Sequence, residues 1–148
     1  ISKKNKDYFV KKYFEPVIQI KLTKELFKFA NSSIDISDGL IDDLEKMINK
    51  QKLSYKIWEE QIPISKNLNS YLKRSDLKKT NFISNGDDYQ ILFTASTDKS
   101  RIIKNISKKL GIKISKIGKI TLNNKKSSFI SKKGKYLLLK NSGYKHQF

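Results

Sequence analysis

At one point in the chain the apolar positions change period. Ile34, Asp35 and Ile36 alternate, as strand residues do, so the two isoleucines share a face and the aspartate takes the other. From Leu40 onward, Leu40, Ile41, Leu44, Met47 and Ile48 fall at i, i+1, i+4, i+7 and i+8, which is one face of a helix. Ser37-Asp38-Gly39 lies between the two patterns. Two carboxylates and a hydroxyl therefore stand where a strand hands over to a helix N-terminus, a place suited to phosphate groups and their metal ions.

The same reading extends along the rest of the chain. Residues 1–7 are lysine-rich and read as a loose lead-in. Tyr8 to Phe14 is a short helix or an extended segment, stopped by Pro16. Thr23 is the expected cap of a helix from Lys24 to about Ala30, with Leu26, Phe27 and Ala30 on one face. The helix that opens at Leu40 runs to about Lys50. Leu53 to Trp58 alternates and predicts a strand, and a polar helical patch follows over roughly 65–73. Phe82 and Ile83 begin an extended run broken by Asn85-Gly86. Tyr89, Ile91 and Phe93 alternate with Gln90, Leu92 and Thr94 and predict the next strand. Thr97 or Asp98 starts a helix with Ile102, Ile103, Ile106 and Leu110 on one face, and Gly111 ends it. Ile112, Ile114, Ile117 and Ile120 suggest one or two strands bent at Gly118. Phe129-Ile130 and Tyr136 to Leu139 form a hairpin about Lys133-Gly134. Strands alternate with helices, so the expected fold is an α/β (α+β) two-layer sandwich over residues 1–148, a single domain whose mixed β-sheet carries its helices mainly on one face.

Composition narrows the chemistry. There is no cysteine, and His146 is the only histidine, so disulfides, thiolate metal sites and histidine-rich zinc sites are excluded. No run of about 18 apolar residues predicts a membrane span. The first 20 residues lack the pattern of a signal peptide, and a cytoplasmic location is the expectation. The first residue is isoleucine, which suggests a piece of a longer chain. The formal net charge of +18 raises nucleic acid as a partner. Against that, Arg74 and Arg101 are the only arginines, and the lysines are scattered among many isoleucines and asparagines. Base readers lean on arginine for bidentate contacts. The charge is read as composition typical of an AT-rich genome, spread over a solvated surface.

In so basic a chain the scarce carboxylates say more. Asp35, Asp38, Asp42, Asp43 and Glu45 lie together, and Asp87-Asp88 beside Gly86 form a second group. Taken singly, Ser37-Asp38-Gly39 is an ordinary helix cap and Asn85-Gly86-Asp87-Asp88 an ordinary turn. Taken together, the two acidic turns at strand junctions suit a hard divalent cation held between carboxylates and a phosphate. Phosphoryl transfer needs that neutralisation and alignment, with little covalent chemistry from the protein. No Gly-x-x-x-x-Gly-Lys-Ser/Thr phosphate loop is present.

Ile34 to Leu40, then Asn85-Gly86-Asp87-Asp88-Tyr89-Gln90-Ile91-Leu92-Phe93-Thr94, then Ile117 to Ile120 and Gly143-Tyr144-Lys145-His146, resemble in order and spacing the C-terminal half of thiamine-monophosphate kinases, in the aminoimidazole ribonucleotide synthetase-like superfamily. The resemblance implies the C-terminal domain fold of that superfamily. It implies transfer of the γ-phosphoryl group of ATP to thiamine phosphate, with several Mg²⁺ ions. Position by position it implies Asp35 and Asp38 as Mg²⁺ ligands, Ser37 as an ATP contact, and Asp87 and Tyr144 as contacts to thiamine phosphate. A carboxylate and an aromatic face both suit a cationic thiazolium. Asn85 and Gln90 depart from the family's usual glycine and glutamate, and Glu15-Pro16 from its Arg-Pro. The resemblance also implies an N-terminal domain absent here, a homodimer in the full-length enzyme, and little activity in this piece alone. Alternatives are another ATP-using enzyme of the superfamily or a basic nucleic-acid-binding module.

Overall fold

The computed structural model describes residues 2–48, 52–122 and 127–137. Helix α1 spans Lys3–Phe14 and α2 spans Ile20–Thr23, followed by strand β1, Ser32–Asp35, and helix α3, Leu40–Ile48. Then come β2 (Leu53–Trp58), α4 (Lys66–Leu72), β3 (Ile91–Thr94) and α5 (Ser100–Leu110). Strands β4 (Gly118–Leu122), β5 (Ser128–Ile130) and β6 (Tyr136–Leu137) close the sequence of elements.

The strands divide between two sheets. β1 pairs antiparallel with β3, from Ser32 opposite Thr94 to Asp35 opposite Ile91. The second sheet is mixed, in the order β4-β2-β5-β6, with β2 and β5 parallel and the other neighbours antiparallel. The α/β expectation is met, with the strands divided between this mixed sheet and the separate β1–β3 pair.

Helix α3 locks the two sheets to one core. Its apolar stripe, Leu40, Ile41, Leu44 and Ile48, is buried with Ile57 and Phe129 from the mixed sheet and Leu92 from β3. Each such side chain contributes roughly 1.5–3 kcal/mol on leaving water. Tyr55 of β2 crosses to α3 and donates its hydroxyl to Glu45 at 3.0 Å. A second, smaller cluster of Leu22, Phe29 and Ile106 fills the space between α5 and β3, where Phe29 meets Phe93 edge to face at 5.1 Å.

Several local expectations shift. The lysine-rich start is helical from Lys3, because Ser2 caps it by accepting from Asn5 and lysine is a good helix former. Thr23 does not open a helix. It closes α2, its hydroxyl donating to the carbonyl of Ile20 at 2.8 Å, and Leu26–Lys28 form only a 3₁₀ turn. Phe82-Ile83 is not extended: a 3₁₀ turn over Lys79–Asn81 precedes it, and Ile83 drops into the core. The Lys79 ammonium anchors that segment by donating to the carbonyls of Glu59 and Ile62 at 2.7 and 2.9 Å. Only Gly118 onward of the isoleucine-rich stretch is a strand. Gly111 does end α5, with φ of 65°, and the bonds from Gly111 to Lys108 and from Ile112 to Ser107 close a Schellman end. The hairpin about Gly134 forms as expected, with Leu138 and Leu139 outside the described residues.

Candidate functional site

The two acidic turns meet. β1 delivers Ser37-Asp38-Gly39 at the head of α3, and the loop Ser84–Gln90 leads into β3, the partner of β1. Beyond the paired strands the backbones stay in register. The amide of Ile36 donates to Gln90, that of Tyr89 to Ile36, and that of Asp87 to Ser37, each at 2.9 Å. The amide of Leu40 donates to Ile83 at 3.1 Å.

Two glycines make that closeness possible. A Cβ on Gly86 would stand 1.9 Å from the carbonyl oxygen of Ser37, so no side chain fits there. Gly39 has φ of 126°, and a Cβ on it would lie 2.8 Å from the carbonyl oxygen of Ser84. The loop also holds two non-glycine residues in the left-handed region, Asp87 at φ 63° and Tyr89 at φ 49°. Such conformations persist only where the surroundings impose them, and they concentrate at functional sites.

Within the first turn the acceptor is Asp43, one turn into α3. It is 1% exposed. Its Oδ2 accepts from the amides of Ser37 and Asp38 at 2.9 Å and of Gly39 at 3.2 Å. With Leu40 donating to Ile83, all four amides from 37 to 40 are satisfied inside the protein. The turn therefore does not offer bare N–H groups to a phosphate, and contact with a phosphate falls to side chains and any bound cation.

Asp43 Oδ1 accepts from Lys46 Nζ at 3.1 Å. The same ammonium pairs with Asp42 at 2.9 Å and donates to Asp38. These bonds, that to Asp38 foremost, raise the Lys46 pKa above its usual value. Among the described residues, the Asp38, Asp42 and Asp43 carboxylates offer ligand atoms within 4.8 Å of one another. Asp43 gives one oxygen to three backbone amides, whereas Asp38 and Asp42 meet Lys46 from less buried positions and are the better placed to exchange that ammonium for an ion. Hard oxygen donors with a cation already drawn among them fit Mg²⁺. Asp35 ends β1 as an exposed residue and is not in this cluster.

At the second turn, the Tyr89 hydroxyl donates to Asp87 Oδ1 at 3.2 Å. That bond, followed by the Asp87 charge and more weakly that of Asp35, raises the phenol pKa of Tyr89. Asp88 keeps an open face, yet the protein around it desolvates its carboxylate, and with Asp87 beside it the pKa is raised.

Of the expected site residues, Asp35, Ser37, Asp38 and Asp87 are brought into one neighbourhood, and Tyr144 lies outside the described residues. In the sequence Asp43 stands out only as one charge of an acidic cluster. The signal for Asp43 was its helical phase: three residues after Leu40 and four before Met47, it borders the apolar stripe, where a carboxylate needs internal donors.

No family model matches the chain. Its fold does match solved structures. It aligns over 93% of its length with the thiamine monophosphate kinase of Aquifex aeolicus, at a TM-score of 0.69 and 22% identity, covering 43% of that chain. It aligns over 99% of its length with AaThiL complexed with AMPPCP and TMP, at a TM-score of 0.76 and 23% identity, again covering 43% of that chain. By fold, then, the chain is an α+β unit like the matching region of these structures. In sequence it is 34% identical over 140 residues to the thiamine-monophosphate kinase of Buchnera aphidicola from Schizaphis graminum, a match that takes in 95% of this chain and 43% of that one. The chain corresponds to the C-terminal part of thiamine-monophosphate kinases and spans about 43% of the length of that relative.

Proposed function

We propose that this chain forms the C-terminal part of a kinase that transfers the γ-phosphoryl group of ATP to thiamine phosphate, giving thiamine diphosphate and ADP. The observation that carries the proposal is the lacing of Ser37-Asp38-Gly39 to Gly86-Asp87, which sets a cation-attracting turn beside a second carboxylate turn. In this reading the first turn serves the nucleotide and the second the acceptor substrate.

Asp38 would hold Mg²⁺ within the carboxylate cluster, Asp35 would hold Mg²⁺ outside it from the exposed end of β1, and Ser37 would meet ATP through its hydroxyl, since its amide is given to Asp43. A bound Mg²⁺ would neutralise phosphate charge and help align the transferring group. Asp87 would face the cationic thiazolium, its carboxylate oriented by the Tyr89 hydroxyl. Tyr144 would add an aromatic face for the same ring. Further metal ligands, much of the nucleotide site and a homodimer contact would come from an N-terminal domain, and the enzyme would work in the cytoplasm. Similarity to thiamine-monophosphate kinases, and to AaThiL in its complex with AMPPCP and TMP, supports this reading.

The test is steady-state kinetics of the full-length enzyme with Asp87→Asn. The KM for thiamine phosphate should rise about tenfold or more, the scale for losing a charged partner, with the KM for ATP little changed. Equal loss for both substrates would contradict the assignment.

A further inference from the structure

The first turn already contains a cation. Lys46 Nζ contacts the carboxylates of Asp38, Asp42 and Asp43 together. Asp43 is a fixed anchor, since its other oxygen is held by three amides. Lys46 is not fixed in that way: its side chain is 45% exposed and reaches the cluster along a flexible stem. Asp38 therefore shares its carboxylate with an ammonium that has open solvent to retreat into. An ammonium and a divalent ion compete for the same oxygens, and each raises the energy of the other nearby.

We infer that Lys46 is a displaceable internal cation that competes with the divalent metal for Asp38 and so sets the metal concentration at which the site fills. The inference rests on the reading of Asp38 as a metal ligand. Without metal, the ammonium offsets the mutual repulsion of three carboxylates and keeps the turn assembled. When metal enters, Lys46 swings out along the exposed face of α3, and Asp38 passes from one cation to the other. A purely structural ion pair makes the opposite demand. In that case, removing Lys46 loosens the cluster, and metal binding weakens or stays the same.

Mn²⁺ titrated into the full chain, with free Mn²⁺ followed by electron paramagnetic resonance, separates these outcomes. Asp38→Asn should abolish one class of bound Mn²⁺. Lys46→Met should tighten that class about tenfold, because the ion no longer has to displace an ammonium from the Asp38 carboxylate. Lys46→Gln, which keeps hydrogen-bond donors without the charge, should tighten it in the same direction and stands in if the methionine variant misfolds by circular dichroism. Lys46→Arg should leave affinity near wild type. Unchanged or weaker Mn²⁺ binding in the uncharged variants, with the Asp38-dependent class present, overturns the competition and leaves the metal role of Asp38 intact. Absence of any Asp38-dependent Mn²⁺ in wild type and variants overturns both.

Discussion

The amide of Asp87 donates to the carbonyl of Ser37 at 2.9 Å, joining two turns that lie 50 residues apart in sequence. The bond exists because Gly86 lets the loop settle directly on the first turn and because Asp87 accepts a left-handed backbone. The two turns therefore form one packed unit.

Gly86→Ala should break that contact. The new Cβ would overlap a backbone oxygen that cannot move without dragging the head of α3. A loss of roughly 2–4 kcal/mol is expected, in the range of severe packing and backbone mutants. Gly111→Ala is the control: nothing lies within 4 Å of its Cβ, so only left-handed strain of about 1 kcal/mol remains. Urea denaturation should show the first variant markedly less stable than the second; comparable losses would mean the turns are not tightly packed.

Asp43→Ala should cost about 3 kcal/mol or more, because three amides and Lys46 lose one buried acceptor. Asp43→Asn keeps one acceptor oxygen and should fall in between. Thermal melts of the three proteins would order them wild type, asparagine, alanine.

Asp88 gives a pH-dependent prediction. Partial desolvation by the surrounding protein, and then its neighbour Asp87, raise its pKa in the folded state. A raised carboxylate pKa means that folding favours the protonated form. Its contribution is fully present below the unfolded pKa of about 4 and is lost as pH rises through the folded value. Asp88→Asn should therefore melt higher than wild type at pH 7 and no higher at pH 3. A stabilisation that persists unchanged to pH 3 would contradict the desolvation.

Much of this was legible before any coordinates, and the failures have physical reasons. The switch of period from Ile36 to Leu40 placed β1 and α3 correctly, because burial of a stripe imposes periodicity on sequence. Leu53 to Trp58 alternated clearly and is β2. Tyr89 fitted the alternation of β3, yet the strand begins at Ile91, since a left-handed backbone at Tyr89 leaves no mark on hydropathy. Thr23 could cap a helix in either direction by local propensity, and the packing of Leu22 and Phe29 decided that it ends one. The carboxylates of the two turns could be read as a pair from their motifs. That Asp43 spends its oxygens on backbone amides, and that Lys46 stands among the rest, depends on rotamers that sequence does not record.

Under the proposed function these two turns serve Mg²⁺-dependent phosphoryl transfer to thiamine phosphate, with Asp38 a metal ligand. The direct measurement is thiamine-phosphate-dependent ADP formation by the full-length enzyme and by Asp38→Ala, with circular dichroism confirming that both fold. Turnover should fall about a thousandfold or more, the order lost when charge neutralisation at a transferring phosphoryl group is removed. A folded Asp38→Ala enzyme turning over at close to the wild-type rate would contradict it.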